Sequence, residues 1–137
     1  MVFTAAEAEK ILDDNFAPWV LDLGLTVEEV AGLRAVLRLP WSGRLAREGG
    51  ALSGQALMAA ADTATVLAVS AARGGFVPMT TVQQSTTFER AVVGADVLVD
   101  ARITKLGRRM AFAEIAMTAE GAEGPAARAS TVYALLG

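Results

Sequence analysis

Residues 51–72 hold one charged side chain, Asp62, in an otherwise mostly apolar run. No other feature constrains the fold as strongly. Twenty-two such residues are long enough to cross a bilayer. Yet nine of them are alanine, with Ser53, Gln55, Thr63, Thr65 and Ser70 interspersed. An aspartate at mid-span would also cost roughly 3 kcal/mol on insertion scales. The run therefore reads as a helix buried inside a folded domain, with no membrane partner. Apolar nearly all round, it needs cover on most sides, and a curved sheet wrapped around it would supply that.

The ends of this helix are marked. Ser53 is a good N-cap. Gly74-Gly75 stops the helix, Arg73 sits at its negative pole, and Pro78 follows. Upstream, Thr4-Ala5-Ala6-Glu7 reads as a capping box opening a short helix to about Asp14. Pro18 and Trp19 fall in a connection. Residues 23–30 are a plausible strand, and Ala31-Gly32 a turn. Leu33, Ala35, Leu37 and Leu39 then alternate with Arg34, Val36 and Arg38, as a half-buried strand does.

After Pro78 the chain reads as all-β. Strands are expected at 80–88, 96–106, 109–119 and 126–135. In the second of these, Val97, Val99, Ala101 and Ile103 share one face. Turns fall at Gly107-Arg108 and 121–125. The order helix, two strands, long helix, four strands describes one α+β domain with an antiparallel sheet over residues 1–137. Residues 1–17 form its N-terminal helix and connection, and residues 53–73 its central helix.

The balance of 12 basic against 15 acidic residues argues against nucleic acid as a partner, which calls for a basic footprint. The opening MVFTAAEAEK lacks the basic and apolar segments of a signal peptide, so a cytoplasmic location is expected.

The chain has no cysteine and no histidine. Thiolate nucleophiles, disulfides, cysteine-zinc sites, histidine-bound haem and Ser-His-Asp triads are all excluded. No metal is expected. Proton chemistry near neutral pH falls to a carboxylate, a lysine, the tyrosine or backbone dipoles, and Asp62 is the unusual carboxylate. In a partly dry site it can serve as general base or nucleophile. On a polar stripe, or bonded to a neighbouring strand, it is structural.

The N–H groups at Ser53-Gly54-Gln55 favour negative charge and can stabilise an oxyanion. An ordinary serine cap, with glycine there for packing, explains the same residues. Gly54 and Asp62 lie eight residues apart, or roughly 12 Å along a helix. A site using both must take one from each of two subunits. Lys105, Arg108 and Arg109, with Arg90, form a basic group suited to phosphates, or a solvated hairpin tip. Thr80 and Thr81 open the strand after the helix and offer hydroxyls, or simply β propensity. Trp41, Met58, Phe76, Met79 and Phe88 are candidates for an apolar pocket or for the core.

The runs GGALSGQALMAAADTA and TTVQQSTTFERAVVGADVLVDARITKLGRRMAFAEIAM resemble hotdog-fold thioesterases of the phenylacetyl-CoA (PaaI-like) type, over roughly residues 18–135. That family's signature is His-Gly-Gly with a catalytic aspartate nine positions after the histidine. Here Ser53-Gly54-Gln55 occupies the tripeptide, and Asp62 lies nine after Ser53.

The resemblance implies an antiparallel sheet around the long helix, homodimers or homotetramers with sites at subunit interfaces, and hydrolysis of an acyl-CoA thioester. Coenzyme A is then part of the substrate, and no cofactor is implied. Asp62 takes the catalytic carboxylate's place, Gly54 that of the glycine whose N–H polarises the carbonyl, and Thr80 that of a water-positioning hydroxyl. Arg47 stands where many members have an asparagine. Lys105, Arg108 and Arg109 fall where CoA phosphates are often held. Ser53 replaces the family histidine and is read as a cap that keeps the N–H groups aligned. The alternatives are a non-catalytic acyl-CoA-binding module and a purely structural dimerising domain.

Overall fold

Thr4 caps the first helix in the computed structural model, which describes residues 2–137. Its hydroxyl accepts the Glu7 N–H at 3.1 Å, and Glu7 Oε1 accepts the Thr4 N–H at 3.1 Å, the reciprocal pair expected of that spacing. Helix α1 (Ala5–Asn15) buries Ala8 and Leu12. Pro18–Leu21 then forms a single helical turn, α2, with proline at its start, where a plain connection was expected. Proline's fixed φ suits a first helical position.

Strand β1 (Thr26–Ala31) begins three residues later than the apolar run suggested. Leu23 and Leu25 are buried, but Gly24 between them has φ +76°, which breaks the extended backbone. In β2 (Arg34–Leu39) the side chains of Ala35, Leu37 and Leu39 are fully buried. Leu33, expected as the first inward residue, is 54 % exposed instead. It lies in the tight turn after Gly32, so the strand's alternation starts beyond it.

The long helix α3 (Gly54–Arg73) runs as its signals predict. Ser53 Oγ accepts the Ala56 N–H at 3.2 Å, and Gly74 closes the other end with φ 77°. Twelve of its 20 residues are buried. It is long and apolar enough to span a membrane, but here the sheet takes that role of cover. Strands β3 (Met79–Phe88), β4 (Val97–Leu106), β5 (Met110–Ala119) and β6 (Ala127–Leu135) complete the sheet. All pairings are antiparallel, in the order β1-β2-β4-β5-β6-β3. The helix touches every strand. Its fully buried Ala60, Ala61, Ala64 and Ala68 let backbone and sheet approach closely.

Polar atoms inside this core are satisfied. Thr63, Thr65 and Ser70 each donate to the carbonyl four residues back, and Thr65 Oγ1 also meets Thr131 Oγ1 of β6 at 2.9 Å. The outer face of β1, β2 and β4 carries ion pairs. Arg34 binds Asp100, and Arg38 binds Asp96, Glu28 and Glu120. The far edge of the sheet differs. Strand β3 has no charged residue and no proline, and Val82 and Phe88 on it are half exposed.

Candidate functional site

Asp62 sits midway along α3, half-buried, facing the β6–β3 side of the sheet. Alternation on β6 turns residues 127, 129, 131, 133 and 135 toward the helix. That places the buried Tyr133 against Asp62. The Tyr133 hydroxyl donates to Asp62 Oδ1 at 2.5 Å and lies 3.1 Å from the Asp62 carbonyl oxygen. On β3, Thr81 is paired with Tyr133 and donates to the same Oδ1 at 2.9 Å. Among the described residues nothing donates to Oδ2. Burial, and then the charge of Asp62, raise the Tyr133 phenol well above its ordinary value of 10.0. The phenol is therefore a neutral donor throughout the physiological range.

Tyr133 was not among the residues singled out from the sequence. The signal was present: it is the only tyrosine, in phase with Thr131 on a period-2 strand. Thr81 was expected to touch substrate and is found bonded to Asp62. Thr80, the hydroxyl expected in the catalytic role, is exposed and makes no hydrogen bond to Asp62, although both threonines line the adjoining cavity. That cavity has a volume of about 210 Å³, and its walls include Phe16, Val66, Phe76, Met79 and Tyr133.

The second half of the site is the start of α3. Ser53 Oγ takes the Ala56 N–H, and the Leu57 N–H reaches Ser53 O. The N–H groups of Gly54 and Gln55 have no acceptor among the described residues, so they keep the positive end of the helix available. The preceding loop is pinned in place. Trp41 Nε1–H donates to Gly50 O, the Trp41 N–H donates to Asp96, and the Ser53 N–H donates to Leu45 O. Trp41 thus anchors the loop.

A Cβ at Gly54 would lie 3.2 Å from the Phe88 ring, so glycine admits that ring against the helix end. A cavity of about 390 Å³ opens here, bordered by Gly54, Phe88, Arg47 and Arg90. Gln55 and Ser53 face a second one of about 260 Å³, with Trp19 and Arg44. Met58 is exposed at 40 %, beside β3, where Gln84 donates to its carbonyl. No group of three carboxylates that could hold a metal occurs among the described residues.

Two expected groupings are not brought together within one chain. Asp62 and Gly54 share a helix at roughly 12 Å spacing along its axis. The basic residues are also divided. The Arg90 N–H bonds Ala126 O, whereas Arg109 O accepts from Leu135 N. Nine residues of β6 separate these contacts, roughly 30 Å. Arg47 and Arg90 therefore belong to the Gly54 end, and Lys105, Arg108 and Arg109 to the opposite end. Lys105 lies over the Phe112 ring, 5.9 Å from its centroid.

A long helix held by a six-stranded antiparallel sheet, with a mid-helix carboxylate and free N–H groups at its start, defines a hotdog-fold protein of the thioesterase kind. The chain belongs to the thioesterase superfamily, whose sequence profile matches residues 49–126. Similar solved structures include one from Silicibacter sp. TM1040, described provisionally as a thioesterase. It is 30 % identical, the match covers 100 % of this chain and 94 % of that one, and the TM-score is 0.88. A point mutant of the phenylacetic acid degradation protein PaaI from Thermus thermophilus is 27 % identical. There the match covers 88 % and 100 % of the two chains, with TM-score 0.76. The PaaI protein of E. coli shares the fold at 15 % identity and TM-score 0.84, over 96 % of this chain and 92 % of its own. No curated protein matches. The expected likeness to PaaI-type hotdog thioesterases therefore holds, and thioester hydrolysis is the general chemistry of the class.

Proposed function

We propose that this protein hydrolyses an acyl-CoA thioester at sites shared by two copies of the chain, with Asp62 as the reacting carboxylate. The observation that carries this reading is the placement of the two half-sites at opposite ends of β3. Thr81, which holds Asp62, is near the start of that strand. Phe88, which lies on Gly54, is its last residue. Antiparallel pairing of two β3 edges sets the end of one strand beside the start of the other. Gly54 then meets Asp62 of the partner subunit, and Arg47 and Arg90 meet the cations 105–109 from across the interface.

In this arrangement the Gly54 N–H polarises the thioester carbonyl, and the helix end holds the oxyanion. Acting as general base, Asp62 of the partner subunit takes a proton from water while the water oxygen bonds the carbonyl carbon. The C–S bond then breaks, the CoA thiolate leaves and takes up a proton, and the free acid forms. Attack by the carboxylate itself gives an anhydride that water then cleaves, with the same products. Arg47 and Arg90, joined by Lys105, Arg108 and Arg109 of the partner subunit, supply charge for the phosphates of CoA.

Thiol release from a panel of short, branched and aryl acyl-CoAs tests the reading. Turnover is expected on at least one member, with a loss of about 10²-fold or more in Asp62→Asn. Saturable binding without turnover across the panel would make this a binding module. An Asp62→Asn variant as fast as wild type would remove Asp62 from the chemistry.

A further inference from the structure

We infer that Tyr133 is a positioning residue for Asp62: with Thr81 it fixes Oδ1 and leaves Oδ2 as the oxygen that reacts. This rests on the proposed role of Asp62 and assigns what that role leaves open, namely which oxygen acts and what aims it.

A free aspartate on a helix rotates about two side-chain bonds, so its two oxygens exchange places. Two donors from two different strands on one oxygen end that equivalence. The Tyr133 hydroxyl is 2.5 Å from Oδ1 and that of Thr81 is 2.9 Å from it. Tyr133 is itself immobile, being 3 % exposed, and its neighbour on β5 is Ala111, also fully buried. It therefore holds its donor still without following the carboxylate. Thr81 and Tyr133 are cross-strand partners, so the spacing of the two donors is set by the ladder itself. Lone pairs on Oδ1 are engaged and, among the described residues, those on Oδ2 are not. Proton abstraction or attack thus falls to Oδ2, in a geometry fixed before substrate arrives, which is where orientation lowers a barrier.

Among the described residues no lysine or arginine forms an ion pair with Asp62, whose side-chain partners are Thr81 and Tyr133. The cavity beside this cluster has no charged side chain in its lining. Among the described residues, Tyr133 is the only titratable side chain hydrogen-bonded to Asp62. A lysine or arginine would have paired with Asp62 and withdrawn its charge from use. A neutral hydroxyl orients it and leaves the charge in place.

Two measurements on the intact protein test this. The first is spectroscopic and needs no substrate. Tyr133 is the sole tyrosine, so phenolate absorbance during an alkaline titration reports on it alone. In Asp62→Asn the phenol should ionise at lower pH than in wild type. An unchanged midpoint would mean that the two groups do not interact, and would overturn the inference.

The second is kinetic, using the panel's acyl-CoAs. Tyr133→Phe keeps the ring in the core and removes only the donor. Its kcat should fall between about 10-fold and 10²-fold, with KM nearly unchanged. In an Asp62→Asn background the same change should have no further effect on kcat, because the carboxylate it aims is gone. A wild-type kcat in Tyr133→Phe, or an equal loss in both backgrounds, would overturn the inference while leaving Asp62 in its role. If Asp62→Asn alone is fully active, it is the proposed function that fails.

Discussion

Asp96 ties the loop before α3 to the sheet. It accepts the Trp41 N–H at 2.9 Å and an Arg38 N–H at 3.0 Å. The backbone bond from Trp41, followed by the bond from Arg38, holds its carboxyl below the ordinary value of 3.8. A carboxyl depressed in the folded state adds stability above its unfolded pKa and loses it as pH falls through the folded one. Below about pH 4 the unfolded chain takes up a proton that the folded chain resists, so wild type should weaken there. Asp96→Asn lacks this linkage. Urea midpoints near neutral pH should favour wild type over the variant, and the gap should narrow once the pH falls below the ordinary carboxyl range. A gap that stays constant across that range would mean the carboxylate charge adds nothing to the loop's anchoring.

At the scale of elements, α3 and β6 meet in a buried pair whose two members are not equivalent. Among the described residues, Thr65 Oγ1 has two partners, Ala61 O and Thr131 Oγ1, whereas Thr131 Oγ1 has only Thr65. Both side chains are essentially fully buried. Thr65→Val strands the Thr131 hydroxyl in the core, which costs about 1–3 kcal/mol. Thr131→Val leaves the Thr65 hydroxyl still bonded to Ala61 O and should cost less. The double variant, with no stranded hydroxyl, should be more stable than Thr65→Val alone. Equilibrium urea unfolding of the three variants checks the order, and equal losses in the two single variants would refute it.

The same pairing shows what a sequence displays and what it hides. The caps of α3 and the alternation in β4 and β6 are local, so their boundaries could be read to within a residue or so. So could Asp62 and Gly54, each of which stands out against its own neighbours. The start of β1 escaped because one positive φ at Gly24 undoes an apolar run. The Tyr133–Asp62 contact spans 71 residues. It depends on the register of β6 against α3, which no local pattern states. Arg90 and the cations at 105–109 likewise looked like one group along the chain. Sheet order sends them to opposite ends.

For the molecule as a whole, the exposed edge of β3 is the decisive surface. Ten residues without a charge or a proline present an unpaired row of backbone groups. Edge strands that remain single are usually protected by charge, proline, brevity or a bulge; β3 lacks the first three, and its single bulge lies at Val82, near one end. The opposite edge, β1, carries Glu28 and Glu29 in ion pairs with arginines of β2. The proposed pairing of two chains would then be directed to one side of the sheet, where a two-fold axis through β3 would close a dimer. Val82 is 56 % exposed, so Val82→Lys leaves the folded chain's own packing in place. A lysine there puts a charge into the β3–β3 seam, where it must lose water to pair. Light scattering should give wild type a mass about twice the 14.2 kDa of one chain, and Val82→Lys a mass near 14.2 kDa. If the site is shared, the variant loses hydrolysis together with its partner, though Asp62, Tyr133 and Gly54 are all intact. Pairing it with an unmodified chain restores one β3–β3 contact with a single lysine and should recover part of the activity. A folded monomer that turns over acyl-CoA at the wild-type rate would show that each chain carries a whole site.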